Sequence, residues 1–210
     1  MYLCKTITLA SIMETYDKEQ LYKRQINLYI EANPNPNSLK FVANFMLFNE
    51  GESYDFANKD VATASPLATA LFDFDYVNRV FFMNNFITIT KSDEVAWEDI
   101  RDPLKFFIKD YLEADKPIFT DDITGDQEET QEDSESVKKI KKILEDYVKP
   151  AVEQDGGAII FDSFEKGIVK LQLQGSCSGC PSSMLTLKSG IENLLKSMMP
   201  EVEAVEAEGV

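Results

Sequence analysis

Apolar and polar positions along the chain change period several times, and each change marks an element. Ile26, Leu28 and Ile30 alternate with polar residues, the string NPNPN at 33–37 breaks the chain, and residues 39–48 form a long strand candidate. Strands joined by a loop are expected there. Ser65 before Pro66, followed by Leu67, Ala70, Leu71 and Phe74, supplies an N-cap, a proline at the first helical position and an apolar stripe at helical spacing. Two apolar runs, 80–83 and 86–89, flank Asn84 and Asn85, a pair that tolerates the positive φ of a tight hairpin. Trp97, Ile100, Leu104, Phe107, Ile108 and Tyr111 then share one face of a longer helix. This stretch reads as α+β, and its hairpin favours an antiparallel sheet.

A change of composition follows. Residues 121–136 hold eight acidic side chains, no basic one and a single apolar residue, Ile123. Like charges repel and little apolar surface offsets the entropy of ordering, so a flexible linker is expected. Beyond it, Val137, Ile140, Ile143, Leu144, Tyr147 and Val148 form a helical stripe that Pro150 ends or kinks, and Asp155, Gly156 and Gly157 make a tight turn. Residues 158–164 and 168–174 read as a hairpin joined at Glu165, Lys166 and Gly167, because Val169, Leu171 and Leu173 alternate with Lys170, Gln172 and Gln174. Pro181 opens a helix whose Met184, Leu187, Ile191, Leu194, Leu195 and Met198 share a face until Pro200 stops it, and a last strand is expected near 202–205. The expected fold class is α+β: two small domains, each a β-sheet packed with helices, joined by the acidic linker. The expected bounds are a disordered leader at 1–24, a first domain at 25–120, the linker at 121–136 and a second domain at 137–210.

Charge and composition then narrow the function. The chain has 210 residues, 44% of them apolar, enough for a buried core in each domain. Its formal net charge of −16 repels nucleic acid and anionic membrane alike, so protein partners are expected. No apolar run approaches the roughly 20 residues that span a bilayer. Glu14, Asp17 and Glu19 spoil the opening stretch as a targeting segment, from which a cytoplasmic address is expected. The absence of histidine removes the commonest general base and every Ser-His or Cys-His nucleophile. Three cysteines cannot build a disulfide framework, and two of them stand three positions apart, a spacing of metal or redox chemistry in a reducing compartment.

That pair, Cys177 and Cys180, lies in GSCSGCP at 175–181, between a strand end and a helix start. Two intervening residues let both sulfurs face one ion or cluster, Gly179 admits close backbone approach, and the helix N-terminus favours thiolates and an anionic cargo. Iron–sulfur clusters take four thiolates and this loop offers two. Cys4, in the leader, is a poor third ligand, so a second copy of the chain is expected to supply the rest across a two-fold axis. A cluster held by half-sites near the surface suits release better than storage. Zinc needs the same dimer, since no second ligand pair is present. The competing reading is a thiol–disulfide oxidoreductase, which also places CxxC at a helix start after a strand. Against it stand the small second domain and Pro181 directly after Cys180.

Taken together, KPAVEQDGG at 149–157, GSCSGCPSS at 175–183 and TLKSGIE at 186–192 resemble the C-terminal domain of NifU-like (Nfu) proteins. NPNPNSLKF at 33–41, SPLA at 65–68 and FITITK at 86–91 resemble the N-terminal module of the same family. The resemblance implies a non-enzymatic carrier that binds a 4Fe–4S cluster between two subunits, with some members holding 2Fe–2S forms. It also implies an upstream cluster donor, apo iron–sulfur clients, and Cys177 and Cys180 at the ligand positions. The first domain is left, by elimination, with partner recognition.

Overall fold

The computed structural model describes residues 25–120, 134–178 and 181–209. The leader expected at 1–24, Cys4, nearly all of the acidic linker and Cys180 fall outside these residues.

The first half of the chain forms a five-stranded antiparallel sheet from β1 (Leu28–Ala32), β2 (Ser38–Ala43), β3 (Ser53–Phe56), β4 (Val77–Met83) and β5 (Phe86–Lys91), in the order β1-β2-β5-β4-β3. The expected hairpin joins β4 to β5, with Asn84 at φ +49°. The strand expected at 39–48 ends sooner, at Ala43. There the Asn44 side chain takes the Asn27 N–H and donates to the Gln25 carbonyl, both at 3.0 Å, and the chain turns so that Leu47 and Phe48 donate to the Asn84 carbonyl. Strand β3 was not expected: Tyr54 and Phe56 alternate with Ser53 and Asp55, but the SYDF string is only four residues long.

Helices α1 (Pro66–Leu71) and α2 (Trp97–Glu113) cover one face of this sheet. Leu67, Leu71, Ile100, Leu104 and Ile108 pack there on Phe41, Val80, Phe82, Ile87 and Ile89. Each such large apolar side chain contributes roughly 1.5–3 kcal/mol by leaving water. Ser65 caps α1 as expected, accepting from Ala68 N at 3.1 Å, and its hydroxyl donates to the Ile118 carbonyl at 2.7 Å. Because Ser65 is wholly buried, Ser65→Ala is expected to cost about 1–2 kcal/mol in urea unfolding, the upper part of the range for a lost cap.

The second half begins with α3 (Glu135–Ile143), inside the stretch read as linker, because the Ser134 hydroxyl accepts from Val137 N at 3.3 Å and caps the helix. A π turn, Leu144–Val148, then leads into α4 (Lys149–Gln154). Pro150 has no N–H for the carbonyl four residues back, and widening the turn ahead of it accommodates the loss. The extra residue in that turn shifts the helical phase, which explains why Tyr147, expected on the apolar stripe, is 59% exposed.

The second sheet orders β6 (Gly157–Glu165), β7 (Ile168–Gly175) and β8 (Ala204–Gly209) side by side. Lys166 and Gly167, at φ +50° and +79°, make the expected tight connection from β6 to β7. Helix α5 (Pro181–Met198) carries the chain from β7 to β8, which pairs parallel to β7 and begins two residues after the expected Val202. Val169, Leu171 and Leu173 point into a core with Ile140, Ile191 and Leu195, as their alternation indicated. The α+β class and two separately cored units stand as expected. Among the described residues, no helix is long and apolar enough to cross a membrane.

Sheet 1 is buried on both faces. In β4, the consecutive residues Val80, Phe81, Phe82 and Met83 are all buried. Val80 and Phe82 face the helices, whereas Phe81 and Met83 join Phe86 and, from β6 of the second unit, Ala158.

Candidate functional site

Cys177 sits in the turn that follows β7, two residues beyond Gly175. Gly175 has φ +64°, and a Cβ on it would lie 2.8 Å from the Gly156 carbonyl and from the Phe81 ring, so only glycine lets the strand end there. The turn is then fixed by its own serines. The Ser176 hydroxyl donates to the Asp155 carbonyl, and the Ser178 hydroxyl donates to the Gly175 carbonyl at 2.9 Å. The DGG turn expected at 155–157 lies directly beside it, with Gly156 at φ +78°.

Gly157 brings the two segments together. A Cβ there would stand 2.6 Å from the Gln174 carbonyl oxygen and 2.8 Å from the Cys177 Sγ. Gly157→Ala is therefore expected to destabilise the second unit by about 1–3 kcal/mol, by urea denaturation, and to shift the environment of the Cys177 thiol in the same variant.

The thiol is buried, at 8% exposure. Burial pushes its pKa up, the Ser176 hydroxyl at 3.8 Å works against this, and the charge of Asp155 adds to the rise. This differs from the expectation that the helix start would favour thiolate. Desolvation disfavours the charged form and is the largest of the three influences on this thiol. A cavity of about 390 Å³ opens beside the thiol, lined by Pro34, Asn35, Asp155, Ser176, Thr186 and Leu187. The second expected ligand, Cys180, lies outside the described residues, and α5 begins immediately after it.

Sequence reasoning missed the contribution of the first unit. Asn35, from the NPNPN string, donates to the Ser176 carbonyl at 3.0 Å. Thr88 of β5 donates to the Gly156 carbonyl at 2.8 Å, and Lys40 of β2 donates to the Gln154 carbonyl at 3.0 Å while pairing with Glu31 at 2.8 Å. Asp55 of β3 accepts the Gly175 N–H at 2.9 Å and pairs with Arg79 at 2.7 Å. Burial pushes the Asp55 carboxyl up, against the Arg79 guanidinium and the Gly175 amide, which both pull it down. The available signal was the run of Phe81, Phe82 and Met83, since a sheet apolar on both faces needs a cover on both.

Residues 28–115 match the family model described as scaffold protein Nfu/NifU N terminal, and residues 140–206 match that of the NifU-like domain. The chain belongs to the Nfu/NifU-like family. Among curated relatives, "NFU1 iron-sulfur cluster scaffold homolog, mitochondrial" of Drosophila persimilis is 42% identical over 88% of this chain and 66% of that protein. "NifU-like protein 4, mitochondrial" of Arabidopsis thaliana is also 42% identical, over 89% of this chain and 67% of that one. This Nfu-family chain thus spans about two thirds of the length of these relatives. A solved NifU-like protein from Saccharomyces cerevisiae matches with a TM-score of 0.42 and 24% identity, over 46% of this chain and 87% of that one.

The relatives' names overturn one expectation, the cytoplasmic address, because both are named as mitochondrial proteins. The expectation weighed Glu14, Asp17 and Glu19, yet residues 1–13 contain no acidic side chain. The acid count is therefore no evidence against an address in that stretch.

Proposed function

We propose that this Nfu-family chain is a mitochondrial, non-enzymatic iron–sulfur cluster scaffold, whose cargo is held by the thiolates of Cys177 and Cys180 and handed on to apo iron–sulfur proteins. The observation that carries this reading is the placement of Cys177. It lies on a serine-braced turn between the end of β7 and the start of α5, three positions from Cys180, in a chain whose relatives are named as iron–sulfur cluster scaffolds. Two thiolates leave a cluster half-ligated, so two copies share one cluster across a two-fold axis, 4Fe–4S being the form expected for the family.

In this reading the chain's own groups divide the work. Gly157 lets the backbone come close to the sulfur, Gly175 lets β7 end against the Gly156 carbonyl and the Phe81 ring, and the Ser176 and Ser178 hydroxyls hold the turn without competing for metal. Amides at the start of α5 favour the anionic cargo. Sharing between half-sites makes the cluster releasable, since parting the dimer removes half of its ligands. The test is anaerobic reconstitution with iron and sulfide, followed by Mössbauer spectroscopy and analytical ultracentrifugation. A 4Fe–4S signature confined to a dimeric species is expected, whereas iron bound only to monomer, without cluster absorption, would contradict it.

A further inference from the structure

Strand β6 is an edge of the second sheet, and among the described residues its ladder hydrogen bonds run to β7 alone. A groove of about 520 Å³ follows its other side, lined by the four consecutive residues 158–161, with Leu144 of the π turn on the helix side and Met83 on the side of the first unit. Neighbouring strand residues point to opposite faces, so a groove on one face would meet every second residue. A groove that meets all four runs along the edge itself. Ile159 belongs to the second core, Ala158 packs on Phe81 and Met83, and Ile160 between them is 39% exposed. The register to β7 slips by one between Phe161 and Ser163, a bulge that bends the strand where the groove ends.

An open edge presents unpaired N–H and C=O groups from every second residue, a template that another extended backbone matches. The charges beside it narrow the choice of backbone. Glu50, Glu145 and Glu153 line the groove against Lys141 and Lys149. Lys149 pairs with Glu145, and Lys141 lies over the Phe161 ring at 5.4 Å. Burial pushes the Glu153 carboxyl up, the Lys149 ammonium and the Asn84 amide oppose this, and Glu145 and Glu50 add to the rise. Carboxylates crowded in this way favour a cationic neighbour. A second copy's β6 offers GAIIFDSFE, which has three acidic residues and no basic one, and residues 121–136 of this chain are acidic throughout.

We propose that the edge of β6 takes up an extended segment of a partner protein as a fourth strand of the second sheet, the segment carrying lysine or arginine toward Glu50 and Glu153. Its alternate side chains enter the two layers, one set beside Leu144 and the other beside Met83. The docking edge uses no residue of the 175–181 loop and is independent of the carrier reading.

The probe is a fluorescein-labelled peptide of alternating valine and lysine, added to the full chain. Its anisotropy is expected to rise saturably, and hydrogen exchange at 158–161 to slow while the other edge strands, β1, β3 and β8, exchange as before. Methylating alternate peptide nitrogens removes the donors from one side of the added strand. Of the two peptides so made, one is expected to bind about tenfold more weakly and the other as the parent does. Equal binding by both would overturn strand addition, as would slowed exchange only outside 158–161. Glu50→Gln combined with Glu153→Gln is expected to weaken binding by about threefold to tenfold, with core exchange unchanged. Unchanged affinity, or equal binding of a valine and glutamate peptide, would overturn the basic partner. Exchange at 158–161 that is already slow without peptide would assign the edge to this chain itself, or to a second copy if the slowing grows with protein concentration; either result overturns the proposal.

Discussion

Cys177→Ser is expected to lower cluster content after anaerobic reconstitution at least tenfold, with Cys180→Ser doing the same, as measured by iron and sulfide analysis on the dimer fraction. A serine hydroxyl is a hard, protonated oxygen at neutral pH and a poor substitute for the thiolate that iron–sulfur clusters require. The variant tests ligation rather than folding. Cys177 is nearly covered and packs at the edge of the second core, so serine costs that core no more than about 1–2 kcal/mol. Full cluster content in either variant would remove the pair from the ligand set.

The largest effect on stability is expected at Phe82, which is wholly buried in the first core. Its ring stacks on Phe48 at 5.3 Å and meets Phe56 and Phe119 edge-on at 5.5 and 6.2 Å. Phe82→Ala leaves a cavity that three aromatic neighbours and a hydrogen-bonded strand cannot collapse, at a cost of about 3–5 kcal/mol. The chain's single tryptophan, Trp97, is tied to the Pro36 carbonyl at 2.9 Å and reports unfolding of this unit. The urea midpoint of its fluorescence should fall sharply. A shift worth under about 1 kcal/mol would mean that the cluster of rings around Phe82 is not a cooperative core.

Much of this fold was legible because its signals are local. The Ser65 cap, the Asn84 and Asn85 hairpin, the alternation at Val169, Leu171 and Leu173, and the α2 stripe all rest on residues within a few positions of one another. Three features were not. The π turn before Pro150 depends on how a helix absorbs a missing donor, and Tyr147 turned outward with it. Strand β3 has two polar residues in four and exists because β4 offers it an edge. The contacts between first-unit side chains and the ligand turn join residues 68 to 141 positions apart, which no periodicity records. Their trace was indirect. In β4 and β5 the residues facing away from α1 and α2 include Phe81, Met83 and Phe86, and an exposed sheet face would have been polar there.

The candidate site divides in the same way. Spacing and flanking residues pointed to Cys177 and Cys180, and the turn, strand end and helix start around them follow from GSCSGCP. Burial of Cys177 could not be read from that string, because the thiol packs beside Gly157 and into a core assembled from distant parts of the second unit, while Asn35 of the first unit lines the cavity next to it.

Native mass spectrometry of the anaerobically reconstituted full chain tests the central proposal most directly, since mass and stoichiometry are read together. A dimer carrying one 4Fe–4S unit, lost on Cys177→Ser or Cys180→Ser, is the expected result. A monomer without iron, which loses two protons on oxidation as a disulfide forms between the pair, would contradict it and assign the motif to thiol–disulfide exchange.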